Sequence, residues 1–285
     1  KGATATRTAG ATATRTTGAS TTGTNYLGQA TTGTILIDGT WHDTFDEYEE
    51  YYTATEDATP TETYDVTDNV QSLSDVKLLA PVVPGKIIAI GLNYMSHLDG
   101  LEPPSVPEPF FKTPSSVIGD GDAVVIPADA IRDKAVVQPE AELSLIIGKK
   151  CRKISKSESL KYILGYTCGN DVSARDWQFN DMQWWRAKSS DTFAPLGPFI
   201  VTDLDPGNLH LVGRINGKIV QESSTADLIH DVPTIIEFVS RVITLEPGDV
   251  IMTGTPGKAE DVHPGDTVDV EIEGIGVLSN PVSSE

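Results

Sequence analysis

Two glutamates, Glu140 and Glu142, stand one residue apart at the start of an apolar run, residues 143–147. In an extended strand, residues i and i+2 project from the same face, so the two Cα atoms would lie about 7 Å apart with both carboxylates on one side. Two like charges at about 4 Å repel by about 4 kcal/mol at an effective dielectric near 20. Water, a raised pKa or a bound cation must relieve that repulsion. The pattern therefore indicates either a solvated strand edge or a cation site.

A third carboxylate, Asp171, stands in a Gly-Asn-Asp sequence where another element of secondary structure ends. One interpretation is a simple turn or cap, because Asn and Asp favour such positions. The other is that Asp171 joins Glu140 and Glu142 in a site made of three carboxylates. Oxygen ligands favour Mg²⁺, Mn²⁺ or Ca²⁺ over zinc, and no cluster of His and Cys residues competes for a metal.

Two further stretches carry groups that could bind an anion. Lys188 lies between a Trp-rich and a Pro/Gly-rich stretch, where its amine could hold an anionic substrate or simply extend to the surface. Residues 245–259 combine a Pro-Gly-Asp turn, a short apolar run and a Gly/Thr/Pro loop. The loop's N–H groups and the hydroxyls of Thr253 and Thr255 could bind a carboxylate.

The elements that must position these residues are mostly short strands. From residue 78 onwards, apolar runs of four to six residues alternate with Gly, Pro and Asp turns, which predicts a β-rich domain. Two stretches, 155–165 and 231–243, have the start and stop signals of helices. We therefore predict an α+β, β-rich domain over residues 76–285, after a small N-terminal region over residues 1–75 whose first 24 residues are of low complexity.

Composition limits the class of partner. The chain has 285 residues, with 41 acidic against 21 basic side chains and a formal net charge of −20, which argues against nucleic acid or an anionic membrane as its main partner. It has no run of 18 apolar residues, no opening signal segment and only two cysteines. We expect a cytoplasmic protein that acts on a small molecule.

Seven segments of the chain resemble motifs of the fumarylacetoacetate hydrolase family and occur in the same order as in that family. The similarity covers roughly residues 78 to 282. It implies a mixed β-roll or β-sandwich with flanking helices, assembled as a homodimer. The segments are KIIAIGLNYMSH (86–97), PEPFFKTPSSVIGDGDAVVIP (107–127), EAELSLIIGK (140–149), GYTCGNDVSARDWQ (165–178), RAKSSDTFAPLGPFIVTD (186–203), INGKIVQESST (215–225) and LEPGDVIMTGTP (245–256).

The resemblance also implies a role for individual residues. A cation, Mg²⁺ or Mn²⁺ with Ca²⁺ as an alternative, would lie between the two glutamates and explain their spacing. The implied roles are metal ligation by Glu140, Glu142 and Asp171, substrate binding and catalysis by Lys188, polar contacts to substrate by Arg175 and Gln178, binding of a substrate carboxylate by Thr255, and activation of water by His97.

The chain departs from the family pattern at one position. In many relatives a glutamate three residues after the histidine orients the imidazole, and here that position is Gly100. Asp99 and Glu102 are the nearby candidates for the partner of His97. The segment 98–108 that carries them has the composition of a mobile lid.

The resemblance implies a metal-dependent hydrolase that cleaves a C–C bond in a small 2-oxo or 1,3-diketo acid such as an acylpyruvate. An alternative within the family is a lyase or isomerase: an oxaloacetate decarboxylase, a dehydratase of 2-keto-3-deoxy sugar acids or a hydroxymuconate-type isomerase. Gly100 favours this alternative, because these reactions need no activated water. A further alternative is a relative that binds a metabolite without catalysis.

Overall fold

The computed structural model describes residues 76–285 throughout. Earlier in the chain it describes only the backbone of four short strands. The low-complexity segment 1–24 lies outside the described residues except for the strand at 14–16. The boundary between an N-terminal region and a catalytic domain stays a prediction.

Most of the described elements are strands. In chain order they are β1 (Thr14–Thr16), β2 (Thr34–Ile37), β3 (Thr40–Asp43), β4 (Val70–Ser72), β5 (Ile87–Gly91), β6 (Glu108–Lys112), β7 (Val117–Ile118), β8 (Val124–Ile126), β9 (Val137–Gln138), β10 (Ala141–Ile147), β11 (Ile163–Asn170), β12 (Ser173–Ala174), β13 (Ala194–Val201), β14 (His210–Ile215), β15 (Lys218–Ser224), β16 (Val250–Met252), β17 (Thr267–Ile272) and β18 (Gly276–Ser284).

The described helices are few and short. The α-helices are α1 (Ala128–Asp133), α2 (Arg175–Asn180), α3 (Trp185–Ser189) and α4 (Val232–Ser240), and 3₁₀ turns cover Met95–His97, Pro114–Ser116, Lys156–Tyr162 and Thr225–Asp227. None of the helices in the described part of the chain is long and apolar enough to cross a membrane.

The two predicted helices have different outcomes. Helix α4 is confirmed: Asp231 caps it by accepting a hydrogen bond from the Thr234 N–H, and a proline stands in its first turn. The stretch 155–165 is instead a 3₁₀ turn that leads directly into β11. Its one large aliphatic residue before the strand, Leu160, is 46% exposed, and Tyr162 at its end packs against the core. The stretch therefore lacks the repeated apolar positions of an amphipathic α-helix.

The main sheet contains nine strands in the order β3-β2-β13-β11-β10-β16-β5-β6, with β7 beside β13. Strand β10 pairs antiparallel with both β11 and β16, which places it in the middle of the sheet. Its side chains alternate between two cores. Leu143, Leu145 and Ile147 pack in one cluster, and Ile146 packs in another with Ile87.

A five-stranded sheet, in the order β15-β14-β17-β18-β8, covers one face of the main sheet. Leu211 of β14 and Val270 of β17 share a buried cluster with Leu143 and Leu145 of β10. Burying one such side chain contributes about 1.5–3 kcal/mol, so packing between the two layers stabilises the position of β10. The predicted β-rich α+β fold is confirmed.

Candidate active site

The pairing of β10 with β11 brings the three carboxylates together. Ala141 lies opposite Asn170 and Glu142 lies opposite Gly169, so the start of β10 meets the end of β11. The Asp171 N–H donates to the Glu140 carbonyl oxygen at 2.9 Å, which fixes the chain where it leaves β11. One oxygen from each of Glu140, Glu142 and Asp171 lies within 4.8 Å of the others, and all three residues are buried.

Three cationic side chains surround this acidic group. The Lys188 ammonium lies 2.7 Å from Glu140 Oε2 and 2.7 Å from Asp171 Oδ2, so it bridges two of the carboxylates. Lys112 donates to the other oxygen of Asp171, and Arg175 Nη2 donates to Glu140 Oε1. The site therefore contains three buried acids, two of which are in direct contact with three cationic side chains.

The two glutamates differ in their titration. Burial raises the pKa of Glu140, but the Lys188 ammonium and its neighbouring cations outweigh burial and hold that pKa well below its usual range. Burial, Asp171 and Glu140 all raise the pKa of Glu142 well above its usual value. Burial lowers the pKa of Lys188, but the Asp171 and Glu140 carboxylates prevail and raise it. Glu142 is thus the acid that lacks a compensating charge.

The donor set fits a hard divalent cation. Within residues 76–285, no lysine or arginine contacts the Glu142 carboxylate, and the hydrogen bond it accepts comes from the Gly254 N–H at 2.7 Å. A buried carboxylate without a counter-ion is costly, and three carboxylates within reach of one point are typical ligands of Mg²⁺ or Mn²⁺. Glu140, Glu142 and Asp171 are the residues that would hold it.

His97 faces the same site from a different element. It ends the 3₁₀ turn Met95–His97, and its Nε2 lies 3.7 Å from Glu140 Oε1, too far for a hydrogen bond. Its Nδ1 lies 2.6 Å from the Gly257 carbonyl oxygen. Ser96 binds the same loop, because its hydroxyl accepts from the Gly257 N–H at 3.0 Å. The loop after β16 therefore sets the orientation of the imidazole.

The structure does not bring the predicted acidic partners to His97. Asp99 forms an ion pair with Lys258 at 2.9 Å, and both of these side chains are more than three-quarters exposed. Glu102 is exposed as well. The partnership of either acid with His97 stays a prediction.

The predicted substrate-binding residues lie at or next to the carboxylates. Arg175 begins α2, and besides Glu140 it contacts Gln138 Oε1 at 2.7 Å and Gln178 Oε1 at 2.8 Å. Gln178 lies one helical turn further on and is held by that arginine. Arg175 thus connects the acidic group to the polar wall formed by α2.

Thr255 is placed beside the site, with its hydroxyl already engaged. The hydroxyl donates to the Ala141 carbonyl oxygen at 2.9 Å and accepts from Gln221 Nε2 at 2.8 Å. A hydroxyl has one proton to donate, so this one cannot also donate to a substrate carboxylate. The predicted role of Thr255 would therefore require its backbone N–H.

Sequence reasoning missed Lys112. Its side chain is 0% exposed and its ammonium contacts Asp171, 59 positions further along the chain. The available signal was a lone lysine after the aromatic pair Phe110-Phe111, in a strand at the edge of the main sheet. Lysines are common on the edge strands of sheets, so the sequence alone offers no reason to place Lys112 beside Asp171.

The fold and the site define the class of protein: a β-rich protein with a buried acidic site for a hard cation where its central strands meet. The family model described as "Fumarylacetoacetate (FAA) hydrolase C-terminal" matches residues 86–283. The chain belongs to the fumarylacetoacetate hydrolase family, whose members are enzymes, and the resemblance found in the sequence is confirmed.

Three similar proteins illustrate the range of reactions named in this family. The mitochondrial oxaloacetate tautomerase of Xenopus laevis is 41% identical, over 76% of this chain and 72% of its own. The 5-carboxymethyl-2-hydroxymuconate delta-isomerase of Mycobacterium smegmatis is 45% identical, with a TM-score of 0.72 over 78% of this chain and 87% of its own. Maleylpyruvate hydrolase from Sphingobium, solved with manganese(II) and pyruvate, is 33% identical, with a TM-score of 0.67 over 84% of this chain and 83% of its own.

Proposed function

We propose that this protein is a metal-dependent enzyme that interconverts the keto and enol forms, or shifts a double bond, of a small 2-oxo acid. The reaction belongs to the isomerase alternative of the sequence analysis. Support comes from the buried acidic site and from two relatives named for related reactions, an oxaloacetate tautomerase at 41% identity and a hydroxymuconate isomerase at 45% identity.

The hydrogen bonds of His97 favour isomerisation over hydrolysis. Because the Gly257 carbonyl oxygen only accepts hydrogen bonds, the Nδ1 that contacts it carries the proton, and Nε2 remains to exchange protons on the side of Glu140. In the described part of the chain no carboxylate contacts Nδ1. A carboxylate at that nitrogen is the group that orients a water-activating histidine and stabilises the imidazolium it forms. A carbon acid next to a polarised carbonyl demands less of the base.

Each residue of the site has a separate role in the proposed reaction. A divalent cation held by the three carboxylates would supply Lewis acidity to the 2-oxo group. Lys188 would bind the oxygen on which negative charge develops. His97 Nε2 would take one proton from carbon 3, the C–H electron pair would form the C2–C3 double bond, and the 2-oxo oxygen would gain one proton as the enol leaves.

Arg175, Gln178 and the backbone N–H of Thr255 would bind the carboxylate next to the 2-oxo group. Arg175 is held by contacts at two of its nitrogens to Gln138 and Gln178, which orders its guanidinium before substrate arrives. Such preorganisation lowers the entropic cost of binding.

The test is to follow the enol absorbance of oxaloacetate with Mg²⁺, with Mn²⁺ and with EDTA. We expect interconversion faster than in the buffer blank, abolished by EDTA, and reduced by roughly 10²–10⁴-fold in His97→Gln. The exposed His263, changed to Gln, is the matched control and should keep full activity. Interconversion at the blank rate by a protein that binds Mn²⁺ would exclude this reaction for oxaloacetate.

A C–C bond hydrolase acting on an acylpyruvate is the second candidate. The 33% identity to maleylpyruvate hydrolase favours it. Acetylpyruvate in the same assay separates the two functions, because hydrolysis yields pyruvate and acetate whereas enolisation leaves the carbon chain intact. EDTA-sensitive release of pyruvate would establish the hydrolase.

A further inference from the structure

Lys112 is the buried cation of the site that has no role in the reaction proposed above. It is the last residue of β6, and its side chain is fully buried. Its ammonium donates to Asp171 Oδ1 and lies 3.5 Å from the Val172 carbonyl oxygen. With no solvent-exposed surface, it acts on the site through its charge and through Asp171.

The formal charges of the site sum to zero, without a metal, when all three carboxylates are ionised and the three cationic side chains are protonated. Glu140, Glu142 and Asp171 then provide three negative charges, and Lys112, Lys188 and Arg175, which contact Glu140 and Asp171, provide three positive charges. A divalent cation added to this set leaves two positive charges. A ligand with two carboxylates would neutralise them, and a ligand with one carboxylate would leave one positive charge buried, which is costly.

We propose that Lys112 sets this charge, so that the metal-loaded site selects 2-oxo acids with two carboxylates over those with one. This inference rests on the proposed function, because it names the substrate class for the same site. Lys188 and Arg175 add charge where substrate would bind. Lys112 adds it from behind Asp171 and takes no space from the substrate.

A purely stabilising role explains Lys112 less well. Burying an ammonium and a carboxylate costs about as much as their attraction returns, and an apolar pair of similar shape is often at least as stable. The charge also acts across a buried, weakly screened region that contains all three carboxylates. Its effect on cation and anion binding is therefore its larger consequence.

The test uses the full chain and two neutral replacements, Lys112→Met and Lys112→Gln. The glutamine can still donate to Asp171, so it removes the charge while keeping a hydrogen bond, and it supplies the measurement if the methionine variant does not fold. Lys86→Met is the matched control, because Lys86 pairs with the buried Asp249, which lies beside Ile147 at the opposite end of β10 from the carboxylates.

Calorimetry would measure two affinities. The first is that of Mn²⁺ for the metal-free protein. The second is that of the Mn²⁺-loaded protein for oxaloacetate and for 2-oxobutanoate, in which a methyl group replaces the second carboxylate. We expect wild type to prefer oxaloacetate. Both Lys112 variants should bind Mn²⁺ more tightly and lose preference for oxaloacetate. One charge near 10 Å at an effective dielectric near 20 changes the affinity for a single charge by about tenfold, so the preference should fall by about that factor. The gain in affinity for Mn²⁺, which carries two charges, should be about the square of it.

Lys86→Met should melt earlier and leave both affinities unchanged. Weaker or unchanged Mn²⁺ binding in both Lys112 variants, or an unchanged preference between the two acids, would overturn the inference. Wild type that prefers oxaloacetate but does not tautomerise it would overturn the proposed reaction and support the role of Lys112. If wild type tautomerises oxaloacetate and both variants prefer oxaloacetate as strongly as wild type does, the proposed reaction would be supported and the role of Lys112 would be overturned.

Discussion

Glu140 and Glu142 show how one sequence spacing yields two different acids. Glu140 is in contact with Lys188 and Arg175, and these cations keep it charged. Glu142 has the Gly254 N–H and two like charges beside it, so its pKa is raised. A carboxyl whose folded pKa lies above its unfolded value costs stability as the pH rises through that range. A metal that binds the Glu142 carboxylate therefore competes with a proton for it.

We therefore predict that Mn²⁺ binding releases protons and strengthens as the pH rises. Calorimetry in buffers of different ionisation enthalpy would count the protons released. In Glu142→Gln, the affinity should fall by more than about a hundredfold, the upper end of the loss seen for outer-shell changes, and the proton release should disappear.

The exposed Glu260, which pairs with Lys218 at 3.0 Å, is the control for the loss of a carboxylate. Glu260→Gln should bind Mn²⁺ as wild type does. Proton release that persists in Glu142→Gln would show that another group carries the proton.

The second residue-scale prediction concerns the acids near His97. Asp99→Ala and Glu102→Ala should each change turnover by no more than about twofold, because both side chains are exposed and an exposed ion pair such as Asp99–Lys258 contributes little. Steady-state rates with oxaloacetate would check this. A loss of tenfold or more in either variant would mean that the acid reaches the imidazole during the reaction.

At the scale of elements, the loop after β16 contacts both the carboxylate group, at Glu142, and His97. The Gly254 N–H binds Glu142, and the Gly257 carbonyl and N–H hold His97 and Ser96. Gly254 has φ +102°, and a Cβ there would lie 2.8 Å from the Cβ of Asn93. Only glycine fits this backbone and this close approach without strain.

Gly254→Ala should therefore weaken Mn²⁺ binding and lower the melting temperature, because the strain would move the N–H away from Glu142. Gly265→Ala is a matched control: its φ is +100°, and a Cβ there meets nothing within 4 Å. That control should also lower stability, through the positive φ alone, but leave Mn²⁺ affinity intact. Equal Mn²⁺ affinity in both variants would show that the Gly254 N–H contributes nothing to the site.

Elements also mark the limit of what the sequence could predict. The strands and the clustering of Glu140, Glu142 and Asp171 follow from local spacing and from the family motifs. The contact between Lys112 and Asp171 needs the course of β6 through the sheet, and the contact of His97 with Gly257 joins positions 160 residues apart. No local pattern encodes such distant pairings, because tertiary packing decides them.

At the scale of the whole molecule, the chain concentrates its charge imbalance outside the site. The formal net charge is −20, whereas the three acids and three bases at the carboxylate site balance each other. The excess of acids is therefore carried by the rest of the chain, and within residues 76–285 most charged side chains outside the site are exposed. Like charges at that density repel and oppose the compact state.

Salt should stabilise this fold by screening that repulsion. The Debye length falls from about 10 Å at 0.1 M to about 3 Å at 1 M, so we expect the melting temperature to rise by several degrees between about 0.05 M and about 1 M KCl and to level off above that. The same series at pH 4.5, the sequence isoelectric point, is the control, because the net charge there is close to zero. Screening acts on net repulsion, so the rise should largely disappear at that pH. A rise of equal size at both pH values would mean that KCl stabilises the fold by strengthening apolar burial, which does not depend on charge.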